Sequence, residues 1–289
     1  MKIGVVGTHG GWSSELLADT VAAKTGYRLL VDMAEVCLDL DQNRAWYQGV
    51  DLAGLDGLII KKIGARYSPD LLDRLELLRF LAVRGLPIFS SPLSIMRVLD
   101  RLSCTVTLRL GGIPMPPTTI TESVDEALAA VERYEAAVFK PLFTSKARGM
   151  TVISHGAGAR EAIERFRTEN PIMYLQRKID LPGQDLGIVF LGGQYLTTYA
   201  RCGNGAWNTT TESGGKYAPA TPSAQSIEIA RQAQALFDLD FTCVDVVEAA
   251  AGPVVFEVSA FGGFRGIQDA CGLDAAALYT DYVMEKIRA

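Results

Sequence analysis

Residues 243–263 read CVDVVEAAAGPVVFEVSAFGG. Two apolar, β-branched runs, Cys243–Glu248 and Pro253–Val258, flank a short Ala–Gly segment, the pattern of a tight antiparallel hairpin. Asp245 and Glu257 fall at facing positions, so the hairpin brings two carboxylates together inside an otherwise apolar sheet. Such groups repel unless a cation lies between them. Magnesium is the natural candidate, because it takes hard oxygen ligands and is usually held by one or two carboxylates plus nucleotide phosphates. Two salt-bridged or solvent-facing acids are the alternative.

Upstream, the β-rich run AAVFKP ends on Lys140 and leads into Thr144-Ser145-Lys146-Ala147-Arg148-Gly149. That polar loop can offer hydroxyls, N–H groups and cations to phosphate oxygens, although it is too glycine-poor for a Walker loop. A lysine closing a strand is otherwise an ordinary solvated edge residue. The pattern between and beyond these sites predicts helices over 124–134, 159–168 and 223–237, and strands over 136–140, 150–154, 173–178, 185–191 and 195–201, an α+β arrangement.

The chain opens differently. MKIGVVG (1–7), a glycine loop and an amphipathic stretch over 13–25 read as strand, loop, helix. GLIIKKI (57–63), a helical pattern over 69–84 and a short strand over 86–89 continue an α/β unit. A helix is expected over 99–110, followed by a proline-rich connector, Ile113–Thr119. We expect three units: 1–96 Rossmann-like, 97–174 and 175–289. The loop His9-Gly10-Gly11-Trp12-Ser13-Ser14 is either an anion-binding turn or a plain helix start.

Composition narrows the class. With 289 residues, 48% hydrophobic and 21% charged, the chain reads as globular. A net charge of −5 argues against a nonspecific nucleic-acid binder. The apolar start is too short for a membrane span and lacks a signal-peptide pattern, so a cytoplasmic protein without membrane attachment is expected. Five cysteines without a C-x-x-C pair suit neither a disulfide framework nor a zinc site. The two histidines, His9 and His155, sit in no nucleophile context, which argues against triad hydrolysis.

The order D-R-L-S (100–103), F-K-P (139–141), L-Q-R-K-I (175–179), G-Q-D (183–185), V-D (244–245) and F-E-V-S (256–259) resembles the RimK-type carboxylate–amine ligases of the ATP-grasp superfamily. The resemblance spans roughly 55–289. The whole chain, including THGGWSSE, TSKARGM and FEVSAFGGFRG, is similar more narrowly to the ATP-grasp members of bacterial GAK systems. It implies an ATP-grasp fold, α/β and α+β, behind an N-terminal Rossmann-like domain.

By the same resemblance Arg101 and Lys140 contact ATP phosphates, and Ser145 and Lys146 of the polar loop are expected to join them. Gln176, Arg177, Lys178 and Ile179 form the adenine hinge, Asp185 lies near the ribose, and Arg201 holds the γ-phosphate or acyl-phosphate. Thr210 stands where the family usually has asparagine, and Arg177 where it usually has glutamate. Ser259 replaces the asparagine that follows the second metal acid, so Asp245, Glu257 and Ser259 are the expected ligands of Mg2+, or of Mn2+ in its place. Arg265, in FGGFRG, is expected to bind a substrate carboxylate. The implied reaction joins a small carboxylate to an amine or peptide through an acyl-phosphate; oligomers are common among similar proteins. A kinase acting on a hydroxyl and a nucleotide-sensing regulator would use the same phosphate site.

Overall fold

The computed structural model describes residues 1–289. The chain begins with β1 (Ile3–Val6), α1 (Trp12–Thr25) and β2 (Leu30–Val31), then a three-stranded meander of β3 (Cys37–Asp39), β4 (Arg44–Tyr47) and β5 (Val50–Asp51). It continues with β6 (Gly57–Ile60), α2 (Asp70–Val83) and β7 (Ile88–Phe89). Strands β2-β1-β6-β7 form a parallel sheet. Every residue of β1 and β6 is buried, which is why IGVV and GLII are continuous apolar runs rather than alternating ones. The meander was not expected; its strands of two to four residues are too short to show a period.

An unexpected helix, α3 (Pro92–Leu99), precedes α4 (Arg101–Leu110), which is the helix expected over 99–110. Asp100 separates them with an extended backbone (ψ 111°) and caps α4, its carboxylate accepting from the N–H groups of Leu102 and Ser103. Next come β8 (Thr118–Thr121), α5 (Val124–Tyr134), β9 (Ala136–Lys140), β10 (Thr151–Ser154), α6 (Ala159–Glu169) and β11 (Met173–Arg177). They build an antiparallel sheet, β10-β9-β11-β8, whose core holds Phe139, Leu175, Ile163 and Phe166. The unit boundary expected after residue 174 falls inside β11.

The last sheet, β14-β13-β12-β15-β16, is antiparallel and uses β12 (Gln184–Leu191), β13 (Gln194–Cys202), β14 (Lys216–Pro219), β15 (Phe241–Ala249) and β16 (Gly252–Ser259). Helix α7 (Ala224–Ala235) lies before β15, and α8 (Phe264–Cys271) and α9 (Ala275–Arg288) close the chain. Ile188, Val244, Val246 and Val258 share one buried cluster with Ile229, Ala230 and Ala233 of α7, which covers that face. Tyr279 and Val283 of α9 join Ile3, Val5, Leu17 and Val21 in another, so the C-terminal helix completes the core of the first sheet. No helix is long and apolar enough to cross a membrane.

Candidate active site

The face of the last sheet turned away from α7 carries the chemistry at one end, while its other end, at Val189 and Phe241, packs with Phe264 and Tyr279. Register pairs Asp185 with Arg201, Gly187 with both Tyr199 and Asp245, Asp245 with Glu257, and Cys243 with Ser259. With a side-chain period of two, these positions share one face, opposite the face under α7. A bulge in β16 shifts the register beside Asp245, so that Phe256 and Glu257 both reach the same cavity.

That cavity, about 380 Å³, lies between this sheet and the β9–β11 unit. Its lining includes Arg101, Lys140, Ser145, Lys146, Gln176, Arg177, Lys178, Ile179, Asp185, Arg201, Thr210, Asp245, Glu257 and Ser259. The structure therefore brings together every expected site residue except Arg265. Arg265 is exposed, with its guanidinium over the Trp12 ring at 4.7 Å, and does not line the cavity. The reason is that α8 turns away after Gly263, carrying Arg265 toward the N-terminal unit.

Lys140, only 8% exposed, donates to Gln176 Oε1 at 2.6 Å and has no carboxylate within salt-bridge distance. Burial lowers its pKa to about 7, Arg101 adds to the drop, and Glu257 and Asp245 oppose it. The Gln176 amide nitrogen donates to Thr118 Oγ1 at 3.1 Å. Its side chain is thus committed to holding Lys140, not available to a base as expected. In the expected hinge segment 176–179, the Arg177 and Lys178 N–H groups donate to Pro117 O and Ala136 O, and the Ile179 N–H has no protein acceptor. Arg101 is nearly buried and spans three segments: Nε to Pro141 O at 3.2 Å, Nη2 to Thr144 O at 3.3 Å and Nη1 to Glu257 Oε2 at 3.2 Å.

On the sheet, Arg201 pairs with Asp185 and, at 2.7 Å, with Asp245. Asp185, 4% exposed, also accepts from the Thr209 hydroxyl, so its oxygens are already occupied by protein donors. Arg201 Nη1 has no protein acceptor. Burial raises the pKa of Asp245; Arg201 opposes the rise, and Glu257 and Asp185 add to it.

The two acids face one another without assembling a closed cage of three or more metal-binding side chains. This donor set fits magnesium, which retains water and phosphate ligands, with Ser259 beside it. Thr210 binds Asn208 Oδ1 at 2.8 Å and Ser213 Oγ at 3.1 Å, shaping its own loop while lining the cavity. Lys146 and Arg148 reach Glu212 across the cavity mouth at 3.2 and 3.7 Å.

Sequence reasoning missed the aromatic lining: Tyr67, Tyr199, Trp207, Tyr217 and Phe256. Counting back by two from Arg201 gives Tyr199 on the same face, a signal that was present. A Cβ on Gly187 would collide with the Tyr199 ring, so glycine makes room for that tyrosine. In the opening loop, the Gly10 N–H donates to the Glu15 carboxylate at 2.9 Å and the Thr8 N–H to Ser14 Oγ at 3.2 Å. The chain's own groups fill the anion position, which favours the plain turn.

A family model described as RimK-like ATP-grasp domain matches residues 98–283. Curated relatives include the tetrahydromethanopterin:alpha-L-glutamate ligase of Methanosarcina acetivorans, 25% identical over 80% of this chain and 81% of its own length. The ribosomal protein bS6–L-glutamate ligase of Salmonella paratyphi B is 28% identical over 82% of this chain and 79% of its own. Among solved structures, the ATP-grasp ligase PsnB complexed with minimal precursor, Mg and ADP superposes with a TM-score of 0.73 at 18% identity, covering 99% of this chain and 97% of that one. The D-cycloserine synthetase DcsG gives 0.73 at 16%, covering 99% of each. At these identities the two structures speak to the fold alone.

Proposed function

This chain belongs to the RimK-like ATP-grasp family, and on that premise we propose that it is an ATP-dependent ligase that activates a carboxylate as an acyl-phosphate and joins it to an amine. The carrying observation is the cavity itself, where a buried lysine with no carboxylate partner and two arginines face a pair of opposed carboxylates. With Lys146, Arg177 and Lys178 also in the lining, six cations stand against the three carboxylates Asp185, Asp245 and Glu257, a surplus that suits a bound polyphosphate.

In this reading ATP lies against the hinge, with the Ile179 N–H free for the base, and Lys140 and Arg101 meet its phosphates. Asp245, Glu257 and Ser259 would hold magnesium, which supplies charge neutralisation between the phosphates. A carboxylate oxygen of the first substrate attacks the γ-phosphorus and ADP leaves. The amine then attacks the acyl carbon, phosphate leaves with the bonding pair, and the amine gives up its proton. The free Nη1 of Arg201 stabilises the oxyanion, helped by the glycine loop after β16. Neither the Gly262 nor the Gly263 N–H donates to a protein acceptor, and both residues line the cavity. No side-chain nucleophile is needed, because positioning and electrostatics carry the rate. Amino-acid or peptide acceptors follow from the relatives' names, and Mn2+ would serve where it replaces Mg2+ in an oxygen site.

Isothermal titration with ATP tests the nucleotide and metal sites. Binding that requires magnesium and is weakened about tenfold or more, about 1.4 kcal/mol, by Glu257→Ala is expected. Equal binding in EDTA and in the variant would overturn the metal assignment.

A further inference from the structure

Lys61 lies just past β6, in the N-terminal unit, yet its ammonium is spent on the loop that follows β16. It is 3% exposed. Nζ donates to Phe261 O and to Gly262 O, each at 2.7 Å, and sits 3.9 Å from the centre of the Phe264 ring. Two carbonyls and one π face account for the three N–H bonds of an ammonium. No carboxylate lies within salt-bridge distance, and the residue does not line the cavity. Burying such a charge is costly, and an apolar side chain of similar volume would dock two units as well or better. Contacts this specific therefore point to the loop they hold.

Peptide geometry says what the contacts do. In a trans peptide the C=O and the following N–H point in opposite directions. Drawing the Phe261 and Gly262 carbonyls to Lys61 turns the Gly262 and Gly263 N–H groups away from it, and these are the two unpaired donors of the cavity's glycine loop. Gly262 has φ +54° and its Cβ would strike the Phe241 ring, so no side chain can brace the loop from within. The brace comes from outside.

We infer that Lys61 is a positioning residue that fixes the Phe261–Gly263 backbone, and through it ties the N-terminal sheet to the reaction centre. The inference rests on the ligase reading for its consequence in turnover, but the tie itself is read in the backbone.

The test compares the full-length wild type with Lys61→Met and Lys61→Arg, by amide hydrogen exchange resolved to peptides and by acceptor-dependent ADP release. Lys61→Met is expected to speed exchange about tenfold or more in peptides covering residues 260–271, where the hydrogen-bonded amides of α8 report on the loop that starts it, with β6 and α9 unchanged. It should lower kcat about tenfold while the KM for ATP stays within about twofold. Lys61→Arg, which keeps the charge, should recover part of both. Unaltered exchange at 260–271 in Lys61→Met overturns the inference, as does equal acceleration throughout β6, α9 and this segment, the mark of simple domain docking. If the wild type releases no ADP with any acceptor, the ligase reading fails, and the exchange data still decide whether Lys61 holds the loop.

Discussion

Lys140 and Arg201 show how single residues are tuned by what surrounds them. Lys140 is fixed by Gln176 and kept from water, so its pKa falls to about 7. A bound polyphosphate would raise it again, and near pH 8 a lysine mostly neutral in the free protein would then take up a proton. Titrating ATP in buffers of differing ionisation enthalpy should show net proton uptake near that pH, largely lost in Lys140→Met. Proton release, or the same uptake in the variant, would place the phosphates elsewhere. The motif positions of Lys140, Asp245 and Glu257 were legible because acids and lysines on apolar strands are conspicuous. The committed side chain of Gln176 was not, since its partners Thr118 and Lys140 come from other strands. Lys61 gave no signal at all, because its partners are 200 and 201 residues away.

Elements place those residues. β12 and β15 are buried along most of their length and stand out as apolar runs, and the strands and helices of this half were accordingly readable. What was missed is α3, a short helix that opens behind Ser90-Ser91-Pro92, a run that reads as a turn, and that ends where Asp100 caps α4. That cap also aims Arg101, the first residue of α4, at Pro141, Thr144 and Glu257. Asp100→Ala should lower stability by about 1 kcal/mol, read as a fall of a few degrees in melting temperature. It should also weaken ATP binding by freeing Arg101. A melting point and an affinity both equal to wild type would show that the cap positions nothing.

At the scale of the whole molecule, the three larger sheets are coupled. α9 finishes the core of the first sheet, Lys61 crosses to the glycine loop, and the Lys146–Glu212 pair spans the cavity mouth. None of these long-range ties shows in local periodicity, whereas the fold class was recognisable from the order of motifs along the chain. The central claim is that this cavity makes an acyl-phosphate and passes it to an amine. The most direct measurement supplies hydroxylamine as the amine, with Mg·ATP and a panel of carboxylates, and quantifies hydroxamate and ADP together. Equimolar hydroxamate and ADP, reduced more than about tenfold in Lys140→Ala, is the predicted result; ADP with a phosphorylated product and no hydroxamate would contradict it.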